Sequence, residues 1–435
     1  MADPCFPALH IRPTHGWLND PNGLCRIDGR YHVFFQYNPA APVHGGIYWG
    51  HVSSTDLLRW QEHPVALAPR PGHIDGGGCW SGCVVDDAGV ITAVYTANPD
   101  HAWNAVVALA WSDRSMINWE QAKSPVSGIS KASEMDEARD PFIFVHEGHR
   151  YALQGAGQAS GRPRLLLFGC DDLTHWSELG TFLSADDPIA AEVAAANIWE
   201  CPNLMQVDGQ WVLLISLWRR RDGVDVLAGV RYLLGDLVAN GPGWAFKATS
   251  GGVADEGPAF YAPQVLTEPG RTLLWAWACE LDRSEQQLRE AGWAGTLTFP
   301  RELRIRDGVL CSQPASELIG LRVEQLVWQA GVPFHAQAFE IVATGPVTLR
   351  LTGDKREALV ASARGTLTDP VRILVDGSIV ETFSGGVSRT TRAYPTAGSA
   401  WLVDGTGVSG YRLGYTVEAG PDDDVPPSRQ GPLSS

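Results

Sequence analysis

Nowhere does the chain run ~18 apolar residues without a break, so nothing in it reads as a membrane-spanning helix. Its first residues, Met1-Ala2-Asp3-Pro4-Cys5, lack the basic start and apolar run of an export signal, and the protein is expected to be soluble and cytoplasmic. Positive charge is short: 33 Lys and Arg stand against 49 Asp and Glu, for a net −16 and a pI near 5.1. An acidic surface offers no countercharge to phosphates, which excludes nucleic acid and anionic membranes as partners and leaves neutral or cationic ligands. The eight cysteines, from Cys5 to Cys311, form no C-x-x-C pair, and the histidines have no H-E-x-x-H spacing, so no metal site is expected. Gly76-Gly77-Gly78 is followed by no Lys and helix, which excludes a phosphate loop, and no cofactor is expected. Helical periodicity is nearly absent before Ser284.

Turn and strand chemistry fills the space. Three stretches look alike: Ser54–Trp60, Ser112–Trp119 and Cys170–Trp176, with tryptophans 59 and 57 residues apart and a looser copy closing on Trp244. Short Val, Ile, Leu, Trp and Tyr runs, such as Tyr31–Tyr37, Val90–Tyr95 and Trp211–Trp218, lie between them. A repeat of about sixty residues holding several short strands reads as propeller blades of four strands each. Residues 1–310 are assigned to such a propeller, 311–326 to a linker with an amphipathic helical candidate at Ala315–Leu326, 327–417 to a β-sandwich, and 418–435 to a disordered tail. Asp376-Gly377 reads as a two-residue hairpin turn within the sandwich.

Polar residues follow the same period. Trp17-Leu18-Asn19-Asp20-Pro21-Asn22-Gly23 holds a carboxylate on a bend, because Pro21 disfavours a helical Asp20 and Gly23 permits positive φ. At steps of 60 or 61 residues come Trp80-Ser81, Arg139-Asp140, Trp199-Glu200 and Tyr261. Residues at one phase of a propeller sit at one radius, so Asp20, Asp140 and Glu200 are expected to converge near the axis. Packing repeats keep one residue type, whereas these positions vary. Two carboxyl groups flanking a glycosidic bond suffice to hydrolyse it, and crowding three acids raises at least one pKa and supplies a protonated acid. Arg139 can fork onto a carboxylate or sugar hydroxyl, or bridge two blades. Seventeen tryptophans suit sugar stacking as well as a core.

W-L-N-D-P-N-G, A-R-D-P and W-E-C-P-N, in this order and spacing, resemble the three signature motifs of the invertase-type glycoside hydrolases of family 32, which act on β-fructofuranosides. The resemblance covers nearly all of residues 9–417 and implies an all-β chain, a five-bladed β-propeller followed by a C-terminal β-sandwich, with no cofactor. It implies that Asp20 is the nucleophile, Glu200 the general acid, and Asp140 a transition-state stabiliser holding fructose hydroxyls. Asn19, Gln36, Trp80, Ser81, Arg139, Tyr261 and Trp277 would line the fructose pocket. His44 stands where many members carry Trp beside the sugar, and Asn203 replaces an Asp, removing a charge from the neighbourhood of the acid. Sucrose or a short fructo-oligosaccharide is the expected substrate. The alternatives are a sucrose-6-phosphate hydrolase using Arg219-Arg220-Arg221, a fructosyltransferase, or a non-catalytic carbohydrate-binding propeller.

Overall fold

A computed structural model describes residues 3–100, 104–129, 137–157, 162–353 and 356–415. The assigned tail, 418–435, lies outside them. The propeller's first blade runs through strands Gly16–Ile27, Arg30–Asn38, Tyr48–Ser54 and Gln61–Leu67, and the second through Gly78–Asp87, Val90–Asn98, Val106–Ser112 and Trp119–Gln121. Blade three holds Glu137–His146, His149–Gly157, Arg164–Gly169 and Ser177–Ser184; blade four holds Ile198–Val207, Gln210–Arg221, Val224–Asn240 and Gly243–Val253. The fifth comprises Phe260–Glu268, Arg271–Ala278, Arg301–Arg306 and Val309–Pro314, with a short helix, Glu285–Ala291, inserted in it. Trp293-Ala294 then pairs in parallel with Gly16-Trp17 and closes the ring of blades on the first strand.

Local sequence explains the repeat. Within four blades the innermost strand turns into the next through Asp28-Gly29, Ala88-Gly89, Glu147-Gly148 or Asp208-Gly209, each with φ positive at both residues, the turn whose twist matches a hairpin. Second strands such as Arg30–Asn38 are buried along nearly their whole length because a neighbouring blade covers each face, so they read as continuous apolar runs. The Trp repeat marks the turn before the outermost strand. Asp56, Asp113 and Asp172 accept backbone N–H groups two or three residues ahead, and the indoles of Trp119 and Trp176 donate back to Met116 and Leu173, each at 3.0 Å.

Beyond the blades, six strands in the order Arg322–Gln325, Val408–Leu413, Ala338–Ala343, Val371–Asp376, Ile379–Ser384 and Val387–Arg392 face three more, Arg356–Arg364, Pro346–Gly353 and Ala400–Gly405. Phe339, Ile341, Leu349, Ile373, Trp401 and Val403 fill the space between the two sheets. Two local expectations change. Ala315–Leu326 is not an α-helix: Ser316–Leu321 forms a 3₁₀ helix and Arg322–Gln325 a strand, since Gly320 and Val323 weaken a helix and the Val408–Leu413 edge offers a ladder. Asp376 remains in its ladder opposite Ile379, and the turn is Gly377-Ser378. The Asp376 carboxylate instead accepts the backbone N–H groups of Ala8, Leu9 and His10. A six-residue helix, Pro188–Val193, capped by Asp187, also lies between blades three and four.

Candidate active site

Every innermost strand breaks its ladder at nearly the same level. Pairing skips between Leu18 and Pro21, Cys79 and Gly82, Arg139 and Phe142, Glu200 and Asn203, and Tyr261 and Gln264, leaving two residues opposite one in each blade. Such bulges twist a strand and re-aim side chains. Proline enforces four of them: Pro21, Pro141, Pro202 and Pro263 have no N–H for the ladder. Ahead of three prolines the backbone is left-handed, with φ of 60° at Asp140, 45° at Cys201 and 45° at Ala262. Each non-glycine residue held there costs roughly 1–2 kcal/mol, tolerated where the surrounding sheet fixes it.

Relative to these prolines the acids fall into two sets. Asp20 and Asp140 directly precede Pro21 and Pro141, and on blade four that place belongs to Cys201; Glu200 stands one residue earlier, level with Asn19 and Arg139. The Cys201 thiol therefore lies between the aspartates, 3.7 Å from Asp20 Oδ2 and 3.5 Å from Asp140 Oδ2, while its N–H donates to Asp140 Oδ2 at 3.0 Å. Glu200 turns aside. Arg139 Nε donates to its Oε1 at 2.9 Å, and the Tyr261 hydroxyl donates to its Oε2 at 2.5 Å. Arg139 also pairs with Glu137 and lies 5.2 Å over the Trp218 ring. It is thus both an inter-blade bridge and a partner of the proposed acid.

A polar mesh holds Asp20. Ser81 Oγ donates to its Oδ2 at 2.7 Å and Gln36 Nε2 at 3.2 Å, whereas the Asn19 amide donates to Oδ1 at 3.2 Å. Asn19 is fixed in turn by Gln36 Oε1 at 3.0 Å and by the Trp17 indole, which donates to its Oδ1 at 2.8 Å. Burial pushes the Asp20 carboxyl up to about 6, with the Ser81 hydroxyl opposing and the Glu200 charge adding to the rise. Asp140 is pushed up to about 7, by burial first and then by Glu200, against the pull of Arg139. Its backbone N–H is tied to Thr96 Oγ1 at 2.8 Å.

The remaining expected residues edge this centre. Trp277 lies opposite Tyr261 across the fifth blade, with its ring 5.6 Å from Trp17. His44 is exposed and meets Trp17 edge-on at 6.4 Å. Trp80 is half-buried, and its carbonyl accepts the Trp49 indole N–H at 3.0 Å. Asn203 faces away from the acid: its amide donates to the Cys201 and Pro263 carbonyls, each at 3.0 Å, and its oxygen accepts the Val265 N–H at 3.1 Å. It clasps blade four to blade five. Sequence reasoning missed Cys201, Trp17, Thr96, Glu137 and Trp218 as parts of the site. Cys201 carried a usable signal, since it takes the pre-proline place that Asp20 and Asp140 hold. Among the described residues no group of His, Cys, Asp and Glu is arranged to hold a metal ion, and no helix is long and apolar enough to cross a membrane.

The family model described as the glycosyl hydrolases family 32 N-terminal domain matches residues 10–314. A raffinose invertase of Escherichia coli is 35% identical over 340 residues, which span 73% of this chain and 66% of that relative. A sucrose-6-phosphate hydrolase of Klebsiella pneumoniae is 32% identical over 417 residues, 88% of this chain and 87% of the relative. Among solved structures, a family 32 β-fructofuranosidase of Bombyx mori superposes with a TM-score of 0.78 at 26% identity, covering 96% of this chain and 95% of that one.

Proposed function

The chain belongs to glycosyl hydrolase family 32, and from that premise we propose that it hydrolyses terminal β-D-fructofuranosides, sucrose or short fructo-oligosaccharides, with retention of configuration. The observation that carries this reading is the meeting of Asp20, Asp140 and Glu200 from three blades around Cys201. Asp20 Oδ2 is engaged by Ser81 and Gln36, so Oδ1 is the oxygen placed to attack the anomeric carbon. As that bond forms, Glu200 gives its proton to the leaving oxygen and the rest of the substrate departs. Glu200 then takes a proton from water, whose oxygen replaces Asp20 at the anomeric carbon and frees fructose. Asp140, held by the Cys201 N–H, grips fructose hydroxyls as cationic character develops. Tyr261 and Arg139 orient Glu200, while Trp80, Trp277, Asn19, Gln36, Ser81 and His44 shape the pocket. Fructose release from sucrose and from short fructo-oligosaccharides tests the reading; release from neither overturns it.

One observation favours a second reading, in which the aldose carries a phosphate. Arg220 lies 5.8 Å over Trp218, the same ring that Arg139 covers, so the Arg219-Arg220-Arg221 hairpin stands beside the acid in an otherwise acidic protein. A kcat/KM for sucrose 6-phosphate at least tenfold above that for sucrose would favour it, and a lower value would discard it.

A further inference from the structure

The sandwich reaches the edge of the site through one side chain. Arg392 ends the strand Val387–Arg392, and its side chain is completely buried. Its Nη2 donates to the Ala278 carbonyl at 2.6 Å, Nε to the Cys279 carbonyl at 3.1 Å and Nη1 to Ser378 Oγ at 3.0 Å. The Glu280 carboxylate lies 3.5 Å away. These carbonyls and this carboxylate follow directly on Trp277. Glu280 extends the grip, accepting the Gly295 N–H at 2.9 Å and the Tyr394 hydroxyl at 3.0 Å. Gly295, at φ 75°, is pressed against the first blade: an added Cβ would lie 1.8 Å from the Leu18 carbonyl and 3.1 Å from Trp277 Nε1. Arg392, Glu280, Gly295 and Trp277 therefore form one packed chain of contacts from the sandwich to the Trp17–Asp20 segment. At its end the Trp277 indole N–H is buried and has no hydrogen-bond partner among the described residues.

We propose that Arg392 is a positioning residue for substrate binding: by clamping Ala278–Glu280 it fixes Trp277, whose ring is thereby held against the bound fructoside. This rests on the reading that Trp277 borders the pocket. Arginine suits the task because its planar fork spans two carbonyls and a carboxylate at once, which a lysine ammonium does not. Substrate recognition is then a property of both domains, although every carboxylate of the site comes from the propeller.

The test uses the full chain with Arg392→Met, Arg392→Lys and Trp277→Phe, assayed on sucrose or, where the wild type prefers it, sucrose 6-phosphate. Arg392→Met should raise KM about tenfold with kcat changed less than threefold, Arg392→Lys should fall between, and Arg392→Met should add little in a Trp277→Phe background. Trp277 emission, taken as the difference from Trp277→Phe, should shift in both Arg392 variants. Arg322→Met, which breaks a pair with Glu340 elsewhere in the sandwich, should lower stability and leave KM alone. A KM within twofold of wild type in the Arg392 variants, with unshifted Trp277 emission, would overturn the proposal. So would failure of both variants to fold, which would assign Arg392 to stability alone. Failure of the underlying reading is separable: the wild type would release no fructose, or Trp277→Phe would leave KM unchanged.

Discussion

Asp20 and Asp140 occupy equivalent pre-proline places, yet their surroundings prepare them differently. Asp20 accepts from Ser81, Gln36, Asn19 and the Cys201 thiol, Asp140 from the Cys201 backbone N–H and the same thiol. Asp20→Ala and Glu200→Ala should each lower kcat by several orders of magnitude while the folded state persists, as measured by initial rates and circular dichroism. Burial raises the Asp140 pKa to about 7 from the ordinary 3.8, so the folded state binds that proton more tightly than the unfolded chain. The group therefore opposes folding fully above about pH 7 and ceases to do so as pH falls toward 4. Asp140→Asn should stabilise by about 1–3 kcal/mol at pH 8 and by almost nothing at pH 4 in denaturant titrations. The Asn203 substitution had suggested a lost charge beside Glu200. Its amide, buried between blades and donating to two carbonyls, shows a structural clasp. Asn203→Asp should destabilise by ~2–4 kcal/mol and leave the alkaline limb of kcat/KM in place, because a carboxylate cannot donate to those carbonyls.

At the scale of elements, what was legible was whatever local chemistry repeats. The Asp and Trp of each outer turn bond within a few residues of each other, so the sixty-residue period shows directly in the chain. The bulges do not, because the left-handed backbone at Asp140, Cys201 and Ala262 is imposed by neighbouring strands. Hence the sequence placed Asp20, Asp140 and Glu200 on one phase, without showing that Cys201 separates the aspartates and that Glu200 faces Arg139. The first blade holds a further feature invisible in sequence, a column of His32, His51 and His63 from three successive strands. His32 Nδ1 lies 3.0 Å from His51 Nε2, and the His51 and His63 rings stack at 4.5 Å. Burial, reinforced by the neighbouring rings, lowers His51 to about 2 and His32 to about 4. Such groups accept protons only on unfolding, so stability falls as pH drops below the unfolded value of 6.5. His51→Phe, stacked on Phe34 in place of the imidazole, should lessen the loss by about 1 kcal/mol per pH unit between pH 6 and 4, seen as a flatter dependence of melting temperature on pH.

Across the whole molecule, the sandwich is bound to the propeller by buried charge. Arg301, fully buried, joins Asp255 of the propeller to Glu381 of the sandwich, and His10 lies between Glu381 and Asp376. Two domains were legible because the sixty-residue repeat ends before the strand-like runs assigned to a β-sandwich. Their docking was not, because Asp376 read as a turn residue and nothing local pairs His10 with residues more than 360 positions away. Retaining cleavage by Asp20 is the claim on which the functional reading stands, and it fixes the stereochemistry of the product. An NMR time course of sucrose cleavage reads it directly, because the anomers of fructose are resolved before they equilibrate. β-D-Fructofuranose appearing first is the expected result. The α anomer appearing first, or no fructose at all, would contradict a nucleophilic Asp20.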